Sequence, residues 1–300
     1  MTVRSTLKFS RIQFPWRLRI HCWGGLGSQL FAWAFAEELL NSGFARKITL
    51  VLHNSGVTQR NSEITHLSGR IQIKILQDFS ASARPADSVG SNSSRPRFRR
   101  RLISFLSRLQ IIIFSDDFQS IKPWTIQLRS HYSHRPLSSE TLQIVKTTLK
   151  SFSTVNDIDT SESAKTAIHY RLGDLLTLEN KTFVSADRVV SALEKVRGLE
   201  VGGFKNVDVF SDSPEVAVDK LSKQNSAFQY TYVDCPSWDV LVNLLKYPYF
   251  IATNSKIGIW VTLLRQIEES TRVTLVPKEL QPTLSLILLE DSKKSQIIYY

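Results

Sequence analysis

Ala167-Ile168-His169-Tyr170-Arg171-Leu172-Gly173-Asp174 is the stretch that decides the fold. Its apolar start reads as a buried strand over residues 167–171, and the glycine after it reads as a turn. A helical pattern follows at residues 186–196. Strand-like residues 207–211 then lead into helix-like 214–221, where Pro214 stands in the first turn, a place proline tolerates. The alternation continues with a strand at 228–233, a helix at 237–245, a strand at 250–253, a helix at 256–266 and a strand at 273–276. Strands alternating with helices imply βαβ units and a parallel sheet.

Working outward to the first half, residues 17–23 form a strand pattern that ends in Gly24-Gly25-Leu26-Gly27-Ser28-Gln29 and runs into an apolar helix at 29–40. Strands are expected at 47–52 and 70–76, a helix at 102–109 and a strand at 110–114. Leu142, Val145 and Leu149 lie at helical spacing. Residues 81–94 lack periodicity and read as a surface loop, and polar residues 154–162 read as a linker. The expectation is an α/β protein of two Rossmann-like domains facing a cleft, divided into 1–155 and 156–300.

Three hundred residues suffice for two cores, and a net charge of +11 points to an anionic partner. Nucleic acid, an acidic membrane face and a nucleotide-sugar all qualify. No run approaches the ~20 apolar residues of a membrane span, and residues 1–17 lack the apolar middle of a secretory signal. Cys22 and Cys235 are the only cysteines, so a reducing cytoplasm is the simpler setting, although a lone disulfide is conceivable. There is no cluster of His and Cys with ligand spacing, so no metal is expected.

The chemistry gathers where strands end. Gly24, Gly25 and Gly27 let the backbone turn and approach a ligand, and the helix that follows offers N–H groups to an anion or a polar sugar. An ordinary turn explains the glycines as well. The spacing is neither Gly-x-Gly-x-x-Gly nor a P-loop. Arg171 closes an apolar strand, where a guanidinium needs a partner; its planar fork suits phosphate, while an ion pair with Asp174 is the structural alternative. His169 is a donor to ribose or phosphate, or a core histidine. Asp239, in the first turn of a helix, either complements the helix dipole or accepts the two adjacent N–H donors of guanine. Asn254-Ser255 before a helix are N-cap residues or phosphate ligands, and Lys256 adds a cation. For the base that would deprotonate an acceptor, His21, Asp174 and Ser28 are candidates by position only.

These segments, in this order, resemble the bacterial-type α-1,2-fucosyltransferases. Gly24 to Gln29 is similar to that family's Gly-Gly-Leu-Gly-Asn-Gln loop, Phe118-Gln119-Ser120 to its central Phe-Gln-Ser, and His169 to Asp174 to its His-x-Arg-Arg-Gly-Asp. Phe210-Ser211-Asp212, the Asp239 helix, Asn254-Ser255 and Val276-Pro277-Lys278 continue the series. The resemblance implies a GT-B arrangement, with the glycan acceptor held mainly by the first domain, at Gly24, Gly25, Gly27, Ser28 and Gln29. GDP-fucose would be held mainly by the second, at His169, Asp212, Asp239, Asn254, Ser255 and Lys256. It further implies inverting transfer to a galactoside without an obligatory metal, so that Arg171 stabilises the leaving diphosphate and is catalytic together with Asp174.

The chain departs from the family at Ser28 for Asn, at Leu172 for the second Arg, and over Lys256 to Ile259. Two other readings are therefore carried: transfer from a different nucleotide-sugar, and a catalytically silent binding module. Arg95, Arg97, Arg99, Arg100 and Arg101 form a basic cluster whose plain reading is a solvated loop. It suits the anionic inner face of a membrane, where a lipid-linked acceptor would reside. No aromatic-interleaved basic strand or helix-turn-helix supports nucleic acid.

Overall fold

The computed structural model describes residues 14–54, 61–67, 69–76, 97–114, 121–122, 124–152, 165–176, 183–200, 203–267, 272–288 and 296–300. They form two compact units, Met1–Leu137 and Ser138–Tyr300.

In the first unit, strands β1 (Phe14–Trp23), β2 (Ala45–His53), β3 (Ile71–Leu76), β4 (Ile112–Ile113) and β5 (Gln127–Arg129) make one parallel sheet in the order β3-β2-β1-β5-β4. On one face Leu18, Ile20, Cys22, Ile48, Leu50 and Leu52 are buried. Helix α1 (Leu26–Asn41) is buried along most of its length, as expected of a helix apolar all round. Helix α2 (Arg97–Arg108) begins five residues earlier than its pattern suggested. The arginine run from Arg97 is thus helical rather than loop.

The second unit carries β6 (Thr166–His169), β7 (Asn206–Phe210), β8 (Gln229–Tyr232), β9 (Tyr249–Ala252), β10 (Val273–Val276) and β11 (Gln296–Tyr299). All pairings are parallel, and the order is β11-β10-β9-β6-β7-β8. The chain starts in the middle at β6, builds outward to β8, then returns to β6 and builds outward through β9 on the other side. That is the doubly wound order, with its switch point between β6 and β9. Every residue of β6 and of β10 is buried, as a strand covered on both faces requires.

Among the described residues six α-helices accompany this sheet: α3 (Ser139–Phe152), α4 (Ala186–Leu199), α5 (Pro214–Gln224), α6 (Ser237–Lys246), α7 (Lys256–Gln266) and α8 (Gln281–Ile287). Helix α3 corrects the expected boundary of 155/156. Its Leu142, Val145 and Leu149 are fully buried and it packs on α6 and α7. Each such side chain contributes about 2 kcal/mol, so the helix belongs to the second unit and the division falls at 137/138. Arg265 of α7 is wholly buried; it donates to the carbonyls of Val273 at 3.0 Å and Leu244 at 3.2 Å and to that of Tyr247, fastening α6 to β10. The expected linker at 154–162, the loop at 81–94 and Phe118-Gln119-Ser120 lie outside the described residues. Both cysteines are free thiols.

Candidate functional site

Strand β6 ends at His169, two residues short of its expected end, because the backbone beyond is claimed by its neighbours. Tyr170 N–H donates to the Phe210 carbonyl at 2.8 Å, and the Ser211 hydroxyl donates to the Tyr170 carbonyl at 2.7 Å. Arg171 N–H donates to Thr253 Oγ1 at 3.0 Å, and the same hydroxyl donates to the His169 carbonyl at 2.8 Å. Asp212 Oδ1 accepts the N–H groups of Leu172 at 2.9 Å and Gly173 at 3.0 Å. Any Cβ at residue 173 would overlap the Asp212 carboxylate, which explains the glycine there. Asp212 is therefore a clamp that shapes the Arg171 loop.

Across the switch point, Ser255 is the N-cap of α7: its Oγ accepts Gly258 N–H at 2.9 Å. The same Oγ lies 3.0 Å from His169 Nδ1. The Ser255 hydroxyl donates to Nδ1 or accepts from it according to the imidazole tautomer. Burial, reinforced by the Arg171 charge and opposed by Asp212, lowers the His169 pKa to about 4. The imidazole is neutral at pH 7. Gly258 lets α7 approach β9 closely, since a Cβ there would stand 3.0 Å from that of Ala252.

His169, Arg171, Asp212, Thr253 and Ser255 are thus one network at the switch point. Arg171 is half-buried with its Nε shielded from solvent, Lys256 opens α7 and is half-buried, and Asn254 is exposed. Helix α7 has no acidic residue in its first turn. Arg171 thus follows the end of β6, and Lys256 and the N-terminus of α7 follow the end of β9, the two strands that flank the switch point; a guanidinium, an ammonium and a helix N-terminus are groups that suit a diphosphate. For Asp174 the backbone is described, in a short 3₁₀ turn over Gly173–Leu176, and the side chain is not. Asp239 is buried in the first turn of α6 beside Cys235, whose thiol is pushed up to about 11 by burial and then by the Asp239 charge.

The glycine loop lies in the first unit. Gly24 has φ +102°, and a Cβ on it would come 2.8 Å from Ser28 Oγ. The Gln29 amide is committed to the fold: Nε2 donates to the carbonyls of Gly24 at 2.9 Å and Asn61 at 2.7 Å, and Oε1 accepts Glu63 N–H at 2.8 Å. Glu63 Oε1 accepts Leu26 N–H at 3.0 Å. A carboxylate of the chain itself therefore takes one N–H at the start of α1, where the sequence offered such groups to an anion or a polar sugar. Next to this loop His21 Nδ1 lies 2.8 Å from His53 Nε2, and the His53 ring stacks on Trp23 at 4.6 Å between centroids. Burial, then the Arg129 charge, holds His21 at about 3 and His53 at about 4. Both are neutral at pH 7, but the outer nitrogens, His21 Nε2 and His53 Nδ1, are shielded from solvent.

Sequence reading missed Thr253, Glu63 and His53. Thr253 carries a local signal, a hydroxyl just after an apolar strand; Glu63 and His53 carry none. Among the described residues no three His, Cys, Asp or Glu side chains group as metal ligands, and no helix is long and apolar enough to cross a membrane.

Comparison by sequence finds no matching family and no curated relative. Among solved structures, the chain is similar to the fucosyltransferase NodZ from Bradyrhizobium, with 11% identity, a TM-score of 0.42, and 83% of this chain and 94% of that one covered. It is similar to the E. coli heptosyltransferase WaaC with ADP, with 10% identity, a TM-score of 0.42, and coverage of 95% and 93%. It is also similar to POFUT1 in complex with GDP-fucose, with 12% identity, a TM-score of 0.40, and coverage of 88% and 98%.

Proposed function

We propose that this chain is a glycosyltransferase that takes its sugar from a nucleoside diphosphate, and that the second unit binds that donor. The observation that carries the reading is the switch point itself, where Arg171 follows β6 and Ser255 and Lys256 follow β9 and open α7. Open α/β sheets bind ligands at such a point. Arg171 would neutralise the departing diphosphate, aided by Lys256 and by N–H groups of α7. His169, Thr253, Ser255 and Asp212 would hold that arginine and that helix in register.

The motif series selects GDP-fucose as donor and a galactoside hydroxyl as acceptor, giving an α-1,2 linkage by inversion without an obligatory metal, in glycan synthesis at the cytosolic face of a membrane. Asp239 would then read guanine, and the glycine loop with Ser28 would face the acceptor. Asp174 keeps its proposed place beside Arg171. A second reading, nucleotide binding without turnover, is favoured by Leu172: the position of the family's second arginine holds a fully buried apolar side chain.

Calorimetric titration with GDP tests the donor site. Arg171→Ala removes a charged hydrogen-bond donor worth about 1.5–3 kcal/mol, so affinity should fall about ten- to a hundredfold. Equal affinities in the two proteins would overturn the assignment. GDP binding without GDP release from GDP-fucose in the presence of galactosides would select the silent reading.

A further inference from the structure

The described surface of the first unit carries one apolar patch with a basic border. Leu102, Phe105 and Leu109 recur at helical spacing along α2 and its end, and all three are exposed, Phe105 by 58%. Ile103 and Leu106, on the flank of that stripe away from Arg101, are half-buried. Trp124 is 54% exposed, and its indole N–H donates to the Leu109 carbonyl at 2.8 Å. Ile126, also exposed, donates its N–H to the Ile111 carbonyl at 3.0 Å, so it lies next to the same helix end. Arg101 and Arg108 are exposed and fall on one flank of the stripe. The α2 sequence holds five arginines and no acidic residue.

Two features of this arrangement need a partner. Large apolar side chains gathered in one place leave surface that water hydrates poorly. Arginines in the first turn of a helix add to the positive pole of its dipole instead of offsetting it. A second copy of the chain would cover the apolar stripe but bring two arginine clusters together, which is repulsive. Nucleic acid would satisfy the arginines and leave Phe105, Leu109 and Trp124 without a role. An anionic bilayer surface satisfies both, with apolar side chains among the acyl chains, arginines at the headgroups and a tryptophan at the boundary.

We propose that α2, with Trp124 and Ile126, is the face by which this protein docks on an anionic membrane surface. The inference uses the first unit alone and does not depend on the transferase reading.

The test is co-sedimentation of the full chain with vesicles of phosphatidylglycerol and phosphatidylcholine, or of phosphatidylcholine alone, in low and in high salt. The wild type should pellet with the anionic vesicles and be released by salt. The double variant Arg101→Gln, Arg108→Gln should partition about thirtyfold more weakly, at about 1 kcal/mol per basic residue. Phe105→Ser with Leu109→Ser should weaken partition by on the order of tenfold or more. All four side chains are exposed, so circular dichroism and the thermal midpoint should match the wild type. Equal pelleting with neutral vesicles, or serine variants that bind as the wild type does, overturns the proposal. So does a dimer in light scattering that Phe105→Ser dissociates.

Discussion

Thr253→Val keeps the shape of a side chain and removes one atom, the hydroxyl oxygen that joins β6 to the residue after β9. That oxygen is fully buried; it donates to the His169 carbonyl at 2.8 Å and accepts Arg171 N–H at 3.0 Å. Losing the first bond costs about 1 kcal/mol net, and leaving the Arg171 N–H without an acceptor adds about 1–3 kcal/mol. The valine variant should be about 2–4 kcal/mol less stable. Thr253→Ser is the control: it keeps the oxygen and loses one buried methyl, about 1 kcal/mol. In urea titrations followed by circular dichroism, a slope of about 2 kcal/mol per molar translates the valine loss into a midpoint lowered by about 1–2 M. A valine variant as stable as the serine variant would refute the reasoning, because the hydroxyl would then hold nothing. The same substitution should weaken GDP binding while the serine variant does not, since only the first lets the Arg171 backbone drift.

Stability should fall on acidification from the unfolded histidine value near 6.5. His21, His53 and His169 are held at about 3, 4 and 4 in the native protein, so below pH 6.5 the unfolded chain takes up protons that the native chain refuses. For His169 alone the interval down to about 4 is worth about 3 kcal/mol; urea midpoints that stay level between pH 7 and pH 4.5 would contradict this. Gln29→Ala removes all three bonds of a buried amide and should cost the first unit about 2–4 kcal/mol, with faster hydrogen exchange at the Glu63 amide and unaltered GDP affinity. Unchanged exchange there would show that the clamp is not structural.

The second unit was the more legible half. Its strands alternate with helices at short spacing, and α7 begins and ends where its pattern does. Three elements escaped. Strand β5 is three residues, Gln127-Leu128-Arg129, too short for periodicity and defined by its pairing with β1. Helix α8 and β11 lie in a region where apolar residues recur without a clear period, and β11 exists because β10 offers it an edge. The expected five-residue strand at 110–114 keeps only Ile112–Ile113. At the site, the residue types that cluster were visible, while the division of labour among them was not. Asp212 and Ser255 look like ligands in sequence, and in the fold Asp212 Oδ1 accepts from Leu172 and Gly173 and Ser255 Oγ from Gly258. Gln29 and Glu63 are linked by a contact across 34 positions, which no local pattern encodes.

The switch point joins distant parts of the chain. His169 and Ser255 are 86 positions apart, and Arg171 and Thr253 are 82. A molecule seated against both strand ends acts as a reversible cross-link over that long loop, forming only after both halves of the sheet have assembled. Its occupancy then reports the integrity of the entire domain, and saturating amounts should slow proteolysis at sites far from where it rests.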